Sequence, residues 1–140
     1  MKNKILSLIK EYNNDSKSIS QKAEEEILSY CTQVTEKLIK LGGSDLFGVE
    51  WDDFYSYFDK IDYITPSAIY LIYRNDYNRD EYTVRFLIEW FEIDYEKFWK
   101  TQKEKNIAKC HSEIKLLMQR IALYNREIEE WKSKEMPKID

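Results

Sequence analysis

Apolar side chains recur at alternating intervals of three and four through the C-terminal part of the chain, at Ile107, Cys110, Ile114, Leu117, Ile121, Tyr124, Ile128 and Trp131. Every a and d position of four consecutive heptads is therefore apolar or aromatic. That is the pattern of a helix buried along one stripe against another helix. With Asp94 available as a cap and Pro137 beyond the end, it predicts a helix from Tyr95 to about Lys134. About forty helical residues span roughly 60 Å, longer than the roughly 30 Å width of a compact domain of this size. Part of the helix must project or pair. Its seam could meet the earlier run Ile27, Cys31, Val34, Leu38 and Leu41, or a second copy of itself. Leu116, Met118 and Leu123 widen the apolar face, which favours burial against more than one helix. Tyr, Trp and Cys are poor d residues for a parallel two-stranded zipper. The expectation is packing within the chain, with a homodimer contact near Tyr124 to Trp131.

The same periodicity predicts an N-terminal helix over residues 2–13, with Ile5, Leu8, Ile9 and Tyr12 on one face. Asn13 to Ser16 breaks it. A second helix begins near Ser18, where Ser18-Ile-Ser-Gln21 matches a capping box, and Gly42-Gly43 ends it as a left-handed cap. Trp51, Phe54, Tyr55, Phe58 and Ile61 have helical spacing and predict a short helix from about Trp51 to Asp59. Thr65-Pro66 then breaks the chain. Ala68 to Tyr73 and Tyr82 to Ile88 are strand-like runs around a polar link and predict an antiparallel hairpin. Val84, Phe86 and Ile88 alternate with Thr83 and Arg85, so one face is buried. A lone hairpin is marginal in water and must lie on helices or gain strands.

Together these elements predict an α+β, mostly helical protein. It has an N-terminal helical pair, a central short helix and antiparallel β-hairpin, and a long C-terminal helix with a coiled-coil-like seam. The 140 residues read as one domain, divided into a helical pair (1–43), a central segment (44–96), the long helix (95–134) and a tail (135–140). Only three Gly and two Pro are present, too little turn material for an all-β sandwich. Cys31 and Cys110 both sit on seam positions and read as small buried hydrophobes in a reducing compartment. The N-terminal apolar run is interrupted at Lys10 and lacks a small-residue cleavage site, so it does not read as a signal peptide. No run approaches the roughly 18 apolar residues of a membrane span. The expected location is the cytoplasm.

Charge changes this picture more than composition does. Residues 44–96 hold 13 of the 26 acids against four basic residues, and 15 of the 21 aromatics. One reading is that the aromatics are core and the acids merely solubilise it. A second is a surface for a basic protein, built from Asp45, Glu50, Trp51, Asp52, Asp53, Asp59, Asp62, Tyr77 and Arg79. Exposed aromatics give contact area at low entropic cost, and like charge steers a complementary partner. A metal site among Asp45, Glu50, Asp52, Asp53, Asp59 and Asp62 is disfavoured, because EF-hand spacing and its glycine are missing.

Catalytic signatures are sparse. The single histidine, His111, adjoins Cys110 but faces another side of the helix, so the two cannot act as base and nucleophile. There is no P-loop, G-x-G-x-x-G, G-x-S-x-G or C-x-x-C. The long helix mixes Lys and Glu, and the pI of 5.2 disfavours direct nucleic-acid binding. The expectation is a non-enzymatic protein-binding module without cofactor or metal. Its concrete version is an acidic inhibitor of a nucleic-acid-handling machine, of the phage or mobile-element accessory type. The alternatives are an assembly protein that self-associates through the long helix, and a small-ligand (nucleotide) binder using Tyr77, Arg79 and Tyr82.

Overall fold

The computed structural model describes residues 2–15 and 20–139, with side chains for 3–10 and 20–139. Helices α1 (Lys2–Asp15) and α2 (Gln21–Lys40) are followed by a one-turn 3-10 helix, Ser44–Leu46. Strands β1 (Ser56–Ile64), β2 (Ala68–Asn75) and β3 (Glu81–Leu87) form an antiparallel sheet in the order β1-β2-β3. A second 3-10 turn, Ile88–Glu92, leads into α3 (Tyr95–Ser133). The α+β, mostly helical class, the hairpin and the long C-terminal helix are as expected. Two compact units result, Met1–Gln102 and Lys103–Asp140.

In the first unit the inner face of the sheet and the buried stripes of α1 and α2 share one core. Ile5 and Ile9 of α1 and Ile27, Cys31, Val34 and Leu38 of α2 join Phe58, Ile69, Leu71, Val84 and Phe86 from the strands. Aromatic pairs close its edge, with Tyr30 stacked on Phe91 and Phe86 edge-on to Trp90. Tyr12 and Ser18 lie outside the residues whose side chains are described. The cap of α2 that is described is Ser20, whose hydroxyl accepts from the Ala23 amide at 3.2 Å. At the other end Gly42 (φ +84°) takes the left-handed position. Gly43 N–H donates to Leu38 O at 2.8 Å and Gly42 N–H to Ile39 O at 3.0 Å. That pair of bonds is a Schellman cap. A Cβ on Gly43 would lie 2.8 Å from Phe98 Cζ and 2.9 Å from Leu38 O, so the close approach admits only glycine.

The first turns of α3 belong to this unit. Asp94 caps it through Lys97 N–H at 3.1 Å, Tyr95 and Phe98 pack against the core, and buried Gln102 donates to Gly42 O at 2.8 Å.

The helix expected over Trp51 to Asp59 is not formed, and β1 occupies part of that stretch. The reason lies in two irregularities of register, between Phe58 and Lys60 and between Ile61 and Tyr63. Each extra residue, Asp59 and Asp62, delays the next inward side chain by one position. The inward residues therefore fall at Phe58, Ile61 and Ile64, opposite Tyr73, Leu71 and Ile69. A spacing of three produced by bulges imitates a helical one. The extra strand also supplies the support a bare hairpin lacks. The bulges and the charges Asp59, Lys60 and Asp62 blunt this sheet edge against pairing with another chain.

The second unit corrects two further expectations. Ile107, Ile114, Leu117, Ile121, Tyr124, Ile128 and Trp131 are all exposed, so no described residue covers the seam. Cys110 is exposed with it, whereas Cys31 is buried; both are free thiols. Burial of the Cys31 thiol pushes its pKa far up, because the thiolate would be desolvated. Among the described residues, no helix is long and apolar enough to cross a membrane.

Candidate functional site

One end of the sheet gathers the loop before β1 and the turn between β2 and β3. The loop is built by Asp52. Its Oδ1 accepts the Phe54 amide at 2.8 Å and the Tyr55 amide at 3.0 Å, and its carbonyl accepts from Ser56 N–H at 2.9 Å. A short aspartate competing for nearby amides favours a turn over a helix. Beneath the loop runs a chain of hydrogen bonds. Asp52 N–H donates to Ser56 Oγ at 2.7 Å, Ser56 Oγ lies 2.7 Å from Tyr73 Oη, and Tyr73 Oη donates to Glu50 O at 2.9 Å. The single phenol proton is directed at Glu50, so Ser56 is the donor to Tyr73. Trp51 packs on Phe58 and Tyr73, with ring centroids 5.2 and 5.8 Å away.

The opposing turn is organised by Asn75. Its Oδ1 accepts from the amides of Tyr77 and Asn78 at 2.9 and 3.3 Å, its N–H donates to Asp80 O at 3.0 Å, and its carbonyl accepts from Arg79 N–H at 2.8 Å. Arg79 holds φ +63°, the left-handed region that side chains other than glycine avoid. The loop and turn are tied by Asp76 N–H to Tyr55 O at 3.1 Å and by the Tyr55 and Tyr77 rings, 5.2 Å apart.

This architecture displays aromatics outward. Phe54 is 94% exposed and Tyr77 77%, with Tyr55, Tyr57 and Tyr82 also exposed. Acids surround them. Arg74 on β2 is occupied: its Nε lies 2.9 Å from Asp59 Oδ2 and its Nη2 3.6 Å from Glu81 Oε1. The Nε contact is short but off-axis, an ion pair without a directed hydrogen bond. Tyr57 Oη donates to Asp76 Oδ1 at 3.1 Å. Partial desolvation first, then that bond and the nearby carboxylates, hold its phenol above the ordinary value. A groove of about 360 Å³ runs between Tyr57, Arg74, Asp76, Arg79 and Glu81.

Of the residues singled out in the sequence, Glu50, Trp51, Asp52, Asp53, Asp59, Tyr77 and Arg79 belong to this end of the sheet. Asp52 directs its carboxylate into the turn and Trp51 packs inward, so both build the surface more than they face a partner. Asp45 lies on the 3-10 turn before Phe47, whose ring packs on Trp90 elsewhere in the core. Asp62 sits at the second bulge, near the stacked pair Tyr63 and Tyr70. Sequence reasoning missed Phe54, Tyr55 and Tyr57 as surface residues, having placed Phe54 and Tyr55 on a helical stripe. The signal was Asp52-Asp53 ahead of them, which is turn chemistry. For the ligand-binding alternative, Arg79 lines the groove above whereas Tyr82 lines another with Gly48, Glu50 and Asn78. Among the described residues, no group of three or more His, Cys, Asp or Glu is placed to hold a metal ion.

Comparison with protein-family models, with curated proteins and with solved structures returned no match.

Proposed function

We propose that the chain is a non-enzymatic binding module that engages a basic protein through the end of the sheet carrying Phe54, Tyr55 and Tyr77. The observation behind this reading is Phe54. A large aromatic is held almost wholly in solvent by a turn whose hydrogen bonds are satisfied internally. Rigid exposed aromatics ringed by charge are the usual anchors of protein interfaces. The surrounding carboxylates of Glu50, Asp53, Asp76, Asp80 and Glu81 outnumber the cations Arg74 and Arg79, and Arg74 is already paired. That sign suits a partner whose own surface is basic.

The concrete form is an inhibitor that occupies the basic groove of a nucleic-acid-handling protein in place of phosphates, since such grooves attract negative charge. Charge reversal by E50K and D53K tests it without touching the turn-forming carboxylate of Asp52. The double variant should lose binding and lose competition with nucleic acid for the partner. Unchanged competition would overturn the inhibitor reading.

A further inference from the structure

We propose that α3 is covered by α3 of a second copy running antiparallel, in the register that sets Ile107 against the partner's Trp131. This goes beyond the sheet-end reading and is independent of it. The starting observation is the length of the exposed stripe. Seven large apolar seam residues, from Ile107 at 48% exposed to Trp131 at 68%, leave an apolar face open along about 36 Å of helix. Leu116, Met118 and Leu123 flank it and are exposed too. A contiguous apolar patch of that extent marks an interface.

The side-chain sizes along the seam say what covers it. In heptad notation the a positions are Ile107, Ile114, Ile121 and Ile128, and the d positions are Cys110, Leu117, Tyr124 and Trp131. The a row is uniform while the d row grows steadily, so the seam is a wedge, narrow at Cys110 and broad at Trp131. A parallel in-register pair would put like on like at every d layer, with two small thiols at one end and two indoles at the other. Two wedges laid head to tail spread the bulk along the seam, because no layer then holds two thiols or two indoles. Each d residue then meets an isoleucine: Trp131 the partner's Ile107, Ile128 the partner's Cys110, Tyr124 the partner's Ile114, Ile121 the partner's Leu117. Interiors favour that spreading, because gaps and overpacking both destabilise.

Charge along the helix runs the same way. In that register residues 103–115, with Lys103, Lys105, Lys109 and Lys115 against Glu104 and Glu113, lie opposite the partner's residues 123–135. Those carry Glu127, Glu129, Glu130 and Glu135 against Arg126, Lys132 and Lys134, a net of +2 opposite −1. Antiparallel pairing lays the basic stretch on the acidic one; parallel pairing stacks like on like. Two rim contacts oppose it, Glu113 near the partner's Glu127 and Arg120 near the partner's Arg120. Both are solvent-exposed and screened. The wedge of the core decides the orientation.

Cys110 makes the proposal testable in the full chain. Sedimentation equilibrium should give an even-numbered assembly. Under mild oxidation the wild-type chain should form no intermolecular disulfide, because antiparallel helices set the two Cys110 thiols about 27 Å apart along the axis. The I128C variant should link into a covalent dimer, and C110S/I128C should lose that link. Ile128 is exposed on the single chain but lies in the proposed seam, so reduced I128C must first be shown by sedimentation to assemble as wild type does. A monomer at every concentration, a wild-type Cys110 disulfide, or an assembly in which I128C does not link would each overturn the proposal.

Discussion

Ser56 Oγ and Tyr73 Oη lie 2.7 Å apart, buried between β1 and β2, in the middle of a relay from the Asp52 amide to the Glu50 carbonyl. Every polar atom in that relay has a partner, and the loop carrying Phe54 rests on it. Y73F would remove the phenol oxygen and leave Ser56 and Glu50 O without it. A buried polar group deprived of its partner costs about 1–3 kcal/mol. Denaturant unfolding of Y73F should show a loss in that range, with S56A similar or smaller. A change under about 0.5 kcal/mol, the level of an ordinary surface substitution, would show that the relay is not structural.

Arg79 at φ +63° carries backbone strain that glycine would not. The left-handed conformation costs an L-residue roughly 1–2 kcal/mol, partly offset by the entropy glycine loses on folding. R79G should therefore unfold at higher denaturant than wild type, by up to about 1 kcal/mol. Loss of the guanidinium leaves the sheet end more acidic, so binding of a basic partner should be unchanged or tighter. Weaker binding would mark Arg79 as a direct contact. Strain retained at a surface turn is a pattern associated with functional residues. A variant both more stable and fully competent to bind would remove Arg79 from the contact surface.

The fold class was legible because α2, β3 and α3 each obey one period without interruption and β2 is a continuous β-branched and aromatic run. β1 keeps no single period. Its two bulges turn a strand's alternation into steps of three at Phe58, Ile61 and Ile64, a spacing that imitates a helix, and only the turn chemistry of Asp52-Asp53 before it argues otherwise. The candidate site suffered by the same error. Treating Phe54 and Tyr55 as a buried stripe hid the most exposed aromatic of the loop, although Tyr77, Arg79 and the acids were chosen from composition alone. The α3 seam was read correctly as a periodic stripe. Whether such a stripe is buried within the chain depends on tertiary placement, which the heptad pattern does not carry, and Ile107 to Trp131 lie open.

The two cysteines should differ sharply toward a thiol reagent at neutral pH. Cys110 is exposed and should label at the rate of an accessible thiol in the monomeric chain. Cys31 is wholly buried with its thiol pKa raised by desolvation, so it should label only on unfolding. Labelling of Cys31 in the folded protein at the rate of the unfolded chain would contradict the packing of α2 on the sheet.

Tyr57 sets an alkaline limit. Desolvation and the Asp76 carboxylate raise its phenol pKa in the folded chain, so the folded state holds that proton more tightly than the unfolded state. Its contribution is fully present below the unfolded value near about 10. It fades as pH rises through the higher folded value. Tyr63 and Tyr95 act in the same direction. Thermal melts between pH 8 and 11 should therefore show stability falling above about pH 10, with a shallower fall in Y57F. An identical slope in Y57F would mean that the Asp76 contact is not maintained in solution.

The most direct test of the sheet-end surface compares capture by the tagged wild-type chain and by F54A/Y77A from a lysate of its source, at low and high salt. Phe54 and Tyr77 are largely exposed, so the double variant should keep wild-type stability within about 0.5 kcal/mol. The wild-type chain should retain a basic protein that is released at high salt, and F54A/Y77A should retain at least tenfold less of it, about 1.4 kcal/mol of binding. Capture of the same partner by both chains, indifferent to salt, would contradict the account.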